Sequence, residues 1–403
     1  MSSDNFTITE HIVPGCHIRE YAGSTVHQED ILKLHVKQYT PKNQPLPLPS
    51  DAVTLIATHG ELYEPLWDEI LGQAIGFRIR SIWVADCASM GMSGILNEEK
   101  LSMDCSWMDH ARDLLLMINH FREQMPRPLV GIGHSFGGTI ITNLAYMHPR
   151  LFTTVALIDP VIQLTPPPMG FGSDPPSAVN WTLRRDDVWP NREVALRANR
   201  ALLHGWDPRC VARMAEVGFR ELPTQLYPDV EAQQARLNTT ETPVTLTTTK
   251  YQDLLGQIRE NFGAQTRKPI ALQSIVRRTR IWILLRLSFL CIDRSHEALF
   301  SDEIREGIKS CGTGVGGAVG GGQRVREVTL SGLGHLMPFQ AVSKVAEPCV
   351  EWLANEMERY RVTEKQWEEQ SRQKNHLVVG ENWFNTLKPV AMRAEKPSRK
   401  TKM

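Results

Sequence analysis

The run Gly133-His134-Ser135-Phe136-Gly137 decides the fold of this chain. It follows an apolar segment, residues 128–132, that predicts a short buried strand, and it precedes residues 138–146, which have the apolar spacing of a helix. A serine on so sharp a strand-to-helix turn has strained backbone angles, so its neighbours two positions away must be small, as Gly133 and Gly137 are. The pattern predicts a nucleophile elbow, with Ser135 at the positive end of a helix dipole.

Apolar runs and helical periodicity alternate on both sides of this turn. Buried strands are predicted at residues 52–58, 79–85, 128–132, 153–158, 279–285 and 325–330. Helices are predicted at residues 107–121 and 342–360, and residues 17–41 predict an initial hairpin. Strands that alternate with helices indicate an α/β fold with a mostly parallel central sheet flanked by helices.

The pattern changes between residues 161 and 268, where prolines are followed by charged, helix-like sequence without buried strands. We interpret this segment as a helical cap inserted into the core. The predicted domains are therefore a core of residues 1–160 and 269–362, a cap of residues 161–268, and a charged C-terminal tail of residues 363–403.

Composition and net charge limit the partners, the cellular compartment and the cofactors that we expect for this protein. The 45 basic and 45 acidic residues cancel, so nothing in the net charge favours nucleic acid or an anionic membrane as a partner. The seven cysteines are scattered and the N-terminus has no signal-peptide pattern, which favours an intracellular protein with free thiols. No set of histidines, cysteines and carboxylates has zinc spacing, so we expect no metal and no cofactor.

A nucleophilic serine needs a base, and the base needs an acid to orient it. His335 follows the last predicted strand and two flexible glycines, Gly332 and Gly334, which is where the base is expected. Two carboxylates compete for the role of acid. Asp159 ends the strand directly after the elbow helix and is favoured; Asp293, near the end of the next core strand, is the alternative. Asp86 also ends a strand, but it precedes the nucleophile, against the usual order of serine, acid and histidine.

An oxyanion hole needs two N–H donors. The residue after the nucleophile, Phe136, supplies one, and the loop that contains Gly60 and Glu61 is expected to supply the other.

Several stretches together resemble one family: residues 5–11, 61–67, 101–110, 131–138 and 332–338. The chain resembles the fungal α/β hydrolases of secondary metabolism, in particular the peroxisomal acyl-CoA hydrolases of mycophenolic acid biosynthesis. The resemblance covers nearly the whole chain. It implies the α/β-hydrolase fold, an acid at Asp159, and a homodimeric type I thioesterase that cleaves mycophenolyl-CoA to mycophenolic acid and CoA, located in the peroxisome.

Alternative functions remain open at this point. The same triad could act on an ester or a lactone, since it does not specify the leaving group. The loop after Gly60 is shorter than in the family, which leaves a catalytically impaired binding protein as a second alternative. Arg184, Arg185, Arg192 and Arg197 in the cap could meet CoA phosphates, although a solvated helix face is the commoner use of such residues. Thr401-Lys402-Met403 only loosely resembles a peroxisomal tripeptide, so the cytoplasm is the alternative location.

Overall fold

A computed structural model of the protein describes residues 2–58, 60–161, 178–258, 288–294 and 325–372. The strands are β1 (Phe6–Pro14), β2 (Lys33–Pro41), β3 (Val53–Thr58), β4 (Ile79–Ala85), β5 (Leu129–His134), β6 (Thr154–Ile158), β7 (Val188–Trp189), β8 (Phe219–Glu221), β9 (Val244–Leu246), β10 (Ser288–Arg294) and β11 (Val325–Leu330). The helices are α1 (Ser2–Asn5), α2 (Glu64–Gln73), α3 (Gly91–Leu96), α4 (Trp107–His120), α5 (Phe136–Met147), α6 (Ala178–Arg184), α7 (Arg192–Ala198), α8 (Pro208–Val217), α9 (Val230–Leu237), α10 (Lys250–Ile258), α11 (Met337–Gln340) and α12 (Val342–Arg372). Short 3₁₀ turns lie at Ala22–Ser24 and Glu61–Tyr63.

The central sheet has the strand order β1-β2-β4-β3-β5-β6-β10-β11. β1 pairs with β2, and β2 with β4, in antiparallel fashion; the other neighbours in this order are parallel. The prediction of an α/β fold with a mostly parallel sheet is confirmed. In such a sheet the carboxyl ends of the parallel strands meet at one edge, and this is where the loops that carry the candidate site begin.

Both faces of the sheet are covered, which explains the continuous apolar runs in the central strands. One face packs against α2 and α12, with Trp67 and Leu353 in its core. The other face packs against α4 and α5, with Leu114 and Ile141 in its core. Strands buried on both faces need apolar residues at successive positions rather than alternation, and every residue of β3 and β5 is indeed buried.

The first hairpin differs from the prediction. It was expected within residues 17–41, but β2 instead pairs with β1, from Phe6↔Pro41 to Pro14↔Lys33. Several polar residues of β1 are exposed because β1 is an edge strand, so the run lacks the apolar character that marks a central strand. The predicted strand at 279–285 lies outside the described residues, and the next strand beside β6 in the central sheet is β10.

The segment between β6 and β10 is not purely helical. Its described part, residues 178–258, contains helices α6–α10, but it also contains a three-stranded antiparallel sheet in the order β7-β9-β8. The expectation of a cap without buried strands is therefore corrected. Trp189, Phe219 and Val244 form a small apolar core on these strands. The strands have two or three residues each, too few to show a period of two in the sequence.

The chain separates into two compact units, residues 1–357 and residues 358–403. The second unit is helical up to Arg372, where α12 ends, and the tail predicted from residue 363 falls within it. Within the described ranges no helix is both long enough and apolar enough to span a bilayer. The predicted domain boundaries stay predictions.

Candidate active site

The elbow has the strained geometry that its sequence predicts. Ser135 lies between β5 and α5 with a φ of 53°, in the left-handed region that non-glycine residues rarely adopt. A Cβ on Gly133 would lie 2.3 Å from the carbonyl oxygen of Gly137. Glycine at position 133 is therefore required by the close approach of the two arms of the turn.

Main-chain hydrogen bonds tie Ser135 to the turn that follows β6. The Ser135 N–H donates to the carbonyl of Ile158, and the Val161 N–H donates to the carbonyl of Ser135, each at 3.0 Å. One bond is made by the residue before Asp159 and the other by the residue after Pro160. A Cβ on Gly138 would lie 2.5 Å from the Cβ of Pro160, so the elbow helix and this turn are in direct contact. Asp159 is thereby held at a fixed position relative to Ser135.

His335 completes a chain of hydrogen bonds. The Ser135 hydroxyl lies 2.9 Å from His335 Nε2, and His335 Nδ1 lies 2.5 Å from Asp159 Oδ2. Asp159 is 1% exposed, whereas the His335 side chain is 37% exposed. The geometry fits a neutral imidazole whose Nδ1–H donates to the carboxylate, so that Nε2 accepts from the hydroxyl. Such an arrangement can move the serine proton to the imidazole during nucleophilic attack.

Asp86, one of the carboxylates weighed from the sequence, has other partners. Asp86 follows β4 and contacts His35, whose Nδ1 is 3.8 Å from Asp86 Oδ2, and it accepts the Met92 N–H at 3.0 Å. Burial raises the pKa of the Asp86 carboxyl, against the lowering effect of the His35 hydrogen bond. Asp293 lies on β10 opposite Thr329, and its side chain is outside the described part of the structure. Of the two carboxylates whose side chains the structure describes, Asp159 contacts His335 and Asp86 contacts His35.

The three expected oxyanion residues line one cavity of about 560 Å³. Phe136 is the first residue of α5. Gly60 caps the 3₁₀ turn that begins at Glu61 and leads directly into α2. The Glu61 carboxylate lies 2.8 Å from Lys37 Nζ, so this side chain is held in an ion pair within the protein. Their assignment as oxyanion donors stays a prediction.

The segment of residues 178–258 forms the opposite wall of this cavity. Core residues such as Leu62, Met90 and Phe339 face cap residues such as Met214 and Phe219, so much of the lining is apolar. Three arginines also line it, and each binds within the protein. Arg185 pairs with Asp253, and Arg220 pairs with Glu98. Arg192 donates to the carbonyls of Ala215 and Glu216 in α8 and of Phe219 at the start of β8.

Two of these arginines, Arg185 and Arg192, are among the four cap arginines that the sequence offered as candidates for binding CoA phosphates. Arg185 and Arg192 are half-buried; Arg185 pairs with a carboxylate, and Nη1 of Arg192 donates to main-chain carbonyls. Burial lowers the pKa of Arg185, partly offset by Asp253. Arg184 and Arg197 are exposed. The cap is also joined to the core by Arg213, whose Nε lies 3.0 Å from the buried carboxylate of Glu64.

Sequence analysis did not identify two side chains that contact the site. Tyr63 Oη lies 2.6 Å from Nδ1 of His134, the residue before the nucleophile, and His134 Nε2 lies 2.8 Å from the carbonyl oxygen of His335. The position of His134 inside the elbow motif was the available signal. Its partners could not be inferred, because they are 71 and 201 residues away along the chain.

Comparisons with known proteins agree with this geometry. Residues 55–347 match the model of the alpha/beta hydrolase family. The chain is 58% identical to the type I acyl-CoA thioesterase mpaH' of Penicillium brevicompactum and 56% identical to the type I acyl-CoA thioesterase mpaH of Penicillium roqueforti (strain FM164), with the whole of both chains covered in each comparison. Among solved structures, the peroxisomal alpha-beta-hydrolase Lpx1 of Saccharomyces cerevisiae is similar in fold, with a TM-score of 0.64 at 16% identity over 94% of this chain and 100% of that one.

The family match covers more than half of the chain, and two relatives are well above 30% identity over their full length. The residues matched by the family model include the elbow at Ser135 and both partners of the contact between His335 and Asp159. This protein is a hydrolase that belongs to the alpha/beta hydrolase family.

Proposed function

We propose that the protein is a serine thioesterase that hydrolyses an acyl-CoA to the free acid and CoA. The observation that carries the proposal is the hydrogen-bonded chain from Ser135 through His335 to Asp159, beside a cavity of about 560 Å³. The relatives that carry the name acyl-CoA thioesterase support the choice of leaving group.

The reaction follows from the positions of these atoms. Ser135 Oγ attacks the thioester carbonyl while His335 Nε2 takes the hydroxyl proton, and the carboxylate of Asp159 stabilises the imidazolium that forms. The backbone N–H groups of Phe136 and of the Gly60–Glu61 loop stabilise the negative charge on the carbonyl oxygen. His335 then gives its proton to the departing CoA sulfur, and a water molecule hydrolyses the acyl-enzyme by the same steps.

The cavity favours the acyl group rather than the phosphates of CoA as its occupant. A volume of about 560 Å³ suits an acyl group of moderate size. The arginines in its wall already bind protein partners, and the carboxylates of Asp86, Glu61 and Glu216 line the same space. A phosphate placed there would meet these carboxylates, so the CoA moiety should leave Ser135 in another direction.

Within this class we propose mycophenolyl-CoA as the substrate, because the resemblance noted from the sequence implies it. A location in peroxisomes and a homodimeric state are proposed on the same basis. Fusing the last twelve residues to a fluorescent protein and imaging it beside a peroxisomal marker tests the location. Light scattering on the purified protein tests the oligomeric state.

The decisive experiment compares thioesters with esters. Purified protein is incubated with mycophenolyl-CoA, short- and long-chain acyl-CoAs and p-nitrophenyl esters, while free thiol and p-nitrophenol are followed. Release of thiol that is lost in Ser135→Ala supports a serine thioesterase. Turnover of esters alone identifies an esterase, and binding of acyl-CoA without turnover identifies a binding protein.

A further inference from the structure

The histidine inside the elbow contacts the loop that carries the proposed base. His134 is the last residue of β5, is almost fully buried, and contacts Tyr63 and the main chain of His335. The rings of His134 and His335 lie 4.8 Å apart between centroids. Neither the proposed mechanism nor the family comparison assigns a role to this side chain.

The two hydrogen bonds of His134 determine its tautomer. Its Nε2 faces the carbonyl oxygen of His335, which can only accept, so Nε2 carries the proton and donates. Nδ1 is then unprotonated and accepts from the Tyr63 hydroxyl at 2.6 Å. Burial raises the pKa of Tyr63 well above its usual range, so this hydroxyl keeps its proton and remains a donor.

Tyr63 is itself held firmly in place. Its ring packs edge-on against Phe339, at 4.8 Å between centroids, and stacks on Trp67. Phe339 lies on α11, just after the His335 loop, and Tyr63 lies at the end of the 3₁₀ turn that begins at Glu61. The Tyr63–His134 pair therefore connects the expected oxyanion loop, the elbow and the His335 loop.

The His335 loop needs such an attachment. Gly332 has a φ of +78°, and a Cβ placed on Gly332 or on Gly334 would meet no atom within 4 Å among the described residues. Glycines in open space leave a main chain with little steric restraint. The contact from His134 Nε2 to the His335 carbonyl fixes the main chain at the residue whose ring must reach both Ser135 and Asp159.

We propose that His134 is a positioning residue: its neutral imidazole, oriented by the Tyr63 hydroxyl, holds the His335 main chain where the His335 ring contacts Ser135 and Asp159. The inference rests on the proposed serine mechanism. A displacement of about 1 Å in a catalytic group can cost about 100-fold in rate, so loss of this hydrogen bond should be measurable.

The test measures how fast Ser135 reacts with a fluorophosphonate, which needs the base but not the acyl-CoA, together with kcat and KM for thioester hydrolysis. We expect His134→Leu to lower the labelling rate and kcat by about 10- to 100-fold with KM changed by less than about threefold. His134→Gln, whose amide can donate to the same carbonyl, should recover most of the loss. Tyr63→Phe should lower both rates by about three- to tenfold, because His134 loses the donor that fixes its tautomer.

A double mutant distinguishes positioning from general destabilisation. If Tyr63 acts through His134, then Tyr63→Phe has no further effect in the His134→Leu background. Tyr39→Phe is the matched control, since it also removes a buried tyrosine hydroxyl, one bound to Glu64, without contact to His134. It should label at the wild-type rate.

The outcomes separate the two proposals. Absence of labelling in the wild-type protein refutes the serine mechanism itself. Wild-type labelling with equal rates in folded His134→Leu, no recovery in His134→Gln, or additive effects in the double mutant overturns the positioning role alone. If His134→Leu does not fold, the comparison of Tyr63→Phe with Tyr39→Phe decides, and equal rates in those two variants overturn the proposal.

Discussion

Replacement of Asp159 by asparagine tests the proposed active site most directly. Asp159 has a φ of 38°, a backbone conformation that asparagine tolerates better than most residues, and the two side chains have nearly the same size. The variant should therefore fold with a similar melting temperature. What it loses is the negative charge 2.5 Å from His335 Nδ1.

The expected loss can be worked from that contact. The imidazolium formed during catalysis and the carboxylate place unit charges about 4 Å apart, and at an effective dielectric constant of about 20 their attraction is about 4 kcal/mol. Removing it slows the chemical step by about 10³-fold. Asparagine also permits the wrong tautomer of His335, because its amide can donate to Nδ1, and this raises the expected loss toward about 10⁴-fold.

The assay is the initial rate of thiol release from an acyl-CoA that the wild-type protein hydrolyses, with Asp293→Asn measured in parallel. We expect Asp159→Asn to lose most of its kcat, KM to change little, and Asp293→Asn to remain close to wild type. A folded Asp159→Asn variant that keeps more than about a tenth of the wild-type rate would refute the reasoning. A larger loss in Asp293→Asn would assign the acid to β10 instead.

Three other substitutions have calculable effects. Gly133→Ala places a Cβ 2.3 Å from the Gly137 carbonyl oxygen, so we expect a loss of at least about 3 kcal/mol or no folded protein, measured by urea denaturation and solubility. Glu64→Gln leaves the guanidinium of Arg213 without this buried counter-charge and should lower the unfolding free energy by about 2 kcal/mol; an unchanged denaturation midpoint would contradict the role of this pair. Burial lowers the pKa of His110 from 6.5 to about 4, so the unfolded chain takes up this proton first and stability falls as pH decreases from about 6.5 toward 4. Between pH 7.5 and 5.5 this histidine should account for about 1.3 kcal/mol, a difference that disappears in His110→Leu if urea denaturation is repeated at both pH values.

Sequence analysis predicted the elements whose local hydrophobic pattern matches their burial in the folded protein. The strands around the elbow, β3 to β6, are mostly apolar because both of their faces are covered, and each was expected within a residue or two of its observed bounds. The favoured acid was chosen by the same logic. A carboxylate at the end of the strand beside β5 lies at the edge of the sheet where the elbow turns, and Asp159 is found there.

The features that sequence analysis missed depend on partners far away in the chain. β7, β8 and β9 are stable as a sheet only because Trp189, Phe219 and Val244 meet in space, which no local periodicity encodes. The mistaken hairpin has the same cause, since β1 is a half-exposed edge strand whose pairing with β2 spans an 18-residue connection, residues 15–32. The contact from Tyr63 through His134 to His335 likewise joins three separate parts of the sequence.

The two main-chain hydrogen bonds on either side of Asp159 also separate a part of the molecule that must keep its geometry from a part that can change. Ser135 and Asp159 are held together through Ile158 and Val161, and the cap residues that line the cavity, of which Arg185 is the first in the described part of the chain, come later in the sequence. Changes of length or composition between Val161 and β10 can therefore reshape the chamber without moving the nucleophile relative to its acid. Such an arrangement lets substrate preference change through the cap while the catalytic residues stay in place. Val161 is therefore the natural junction for building chimaeras with altered substrate preference.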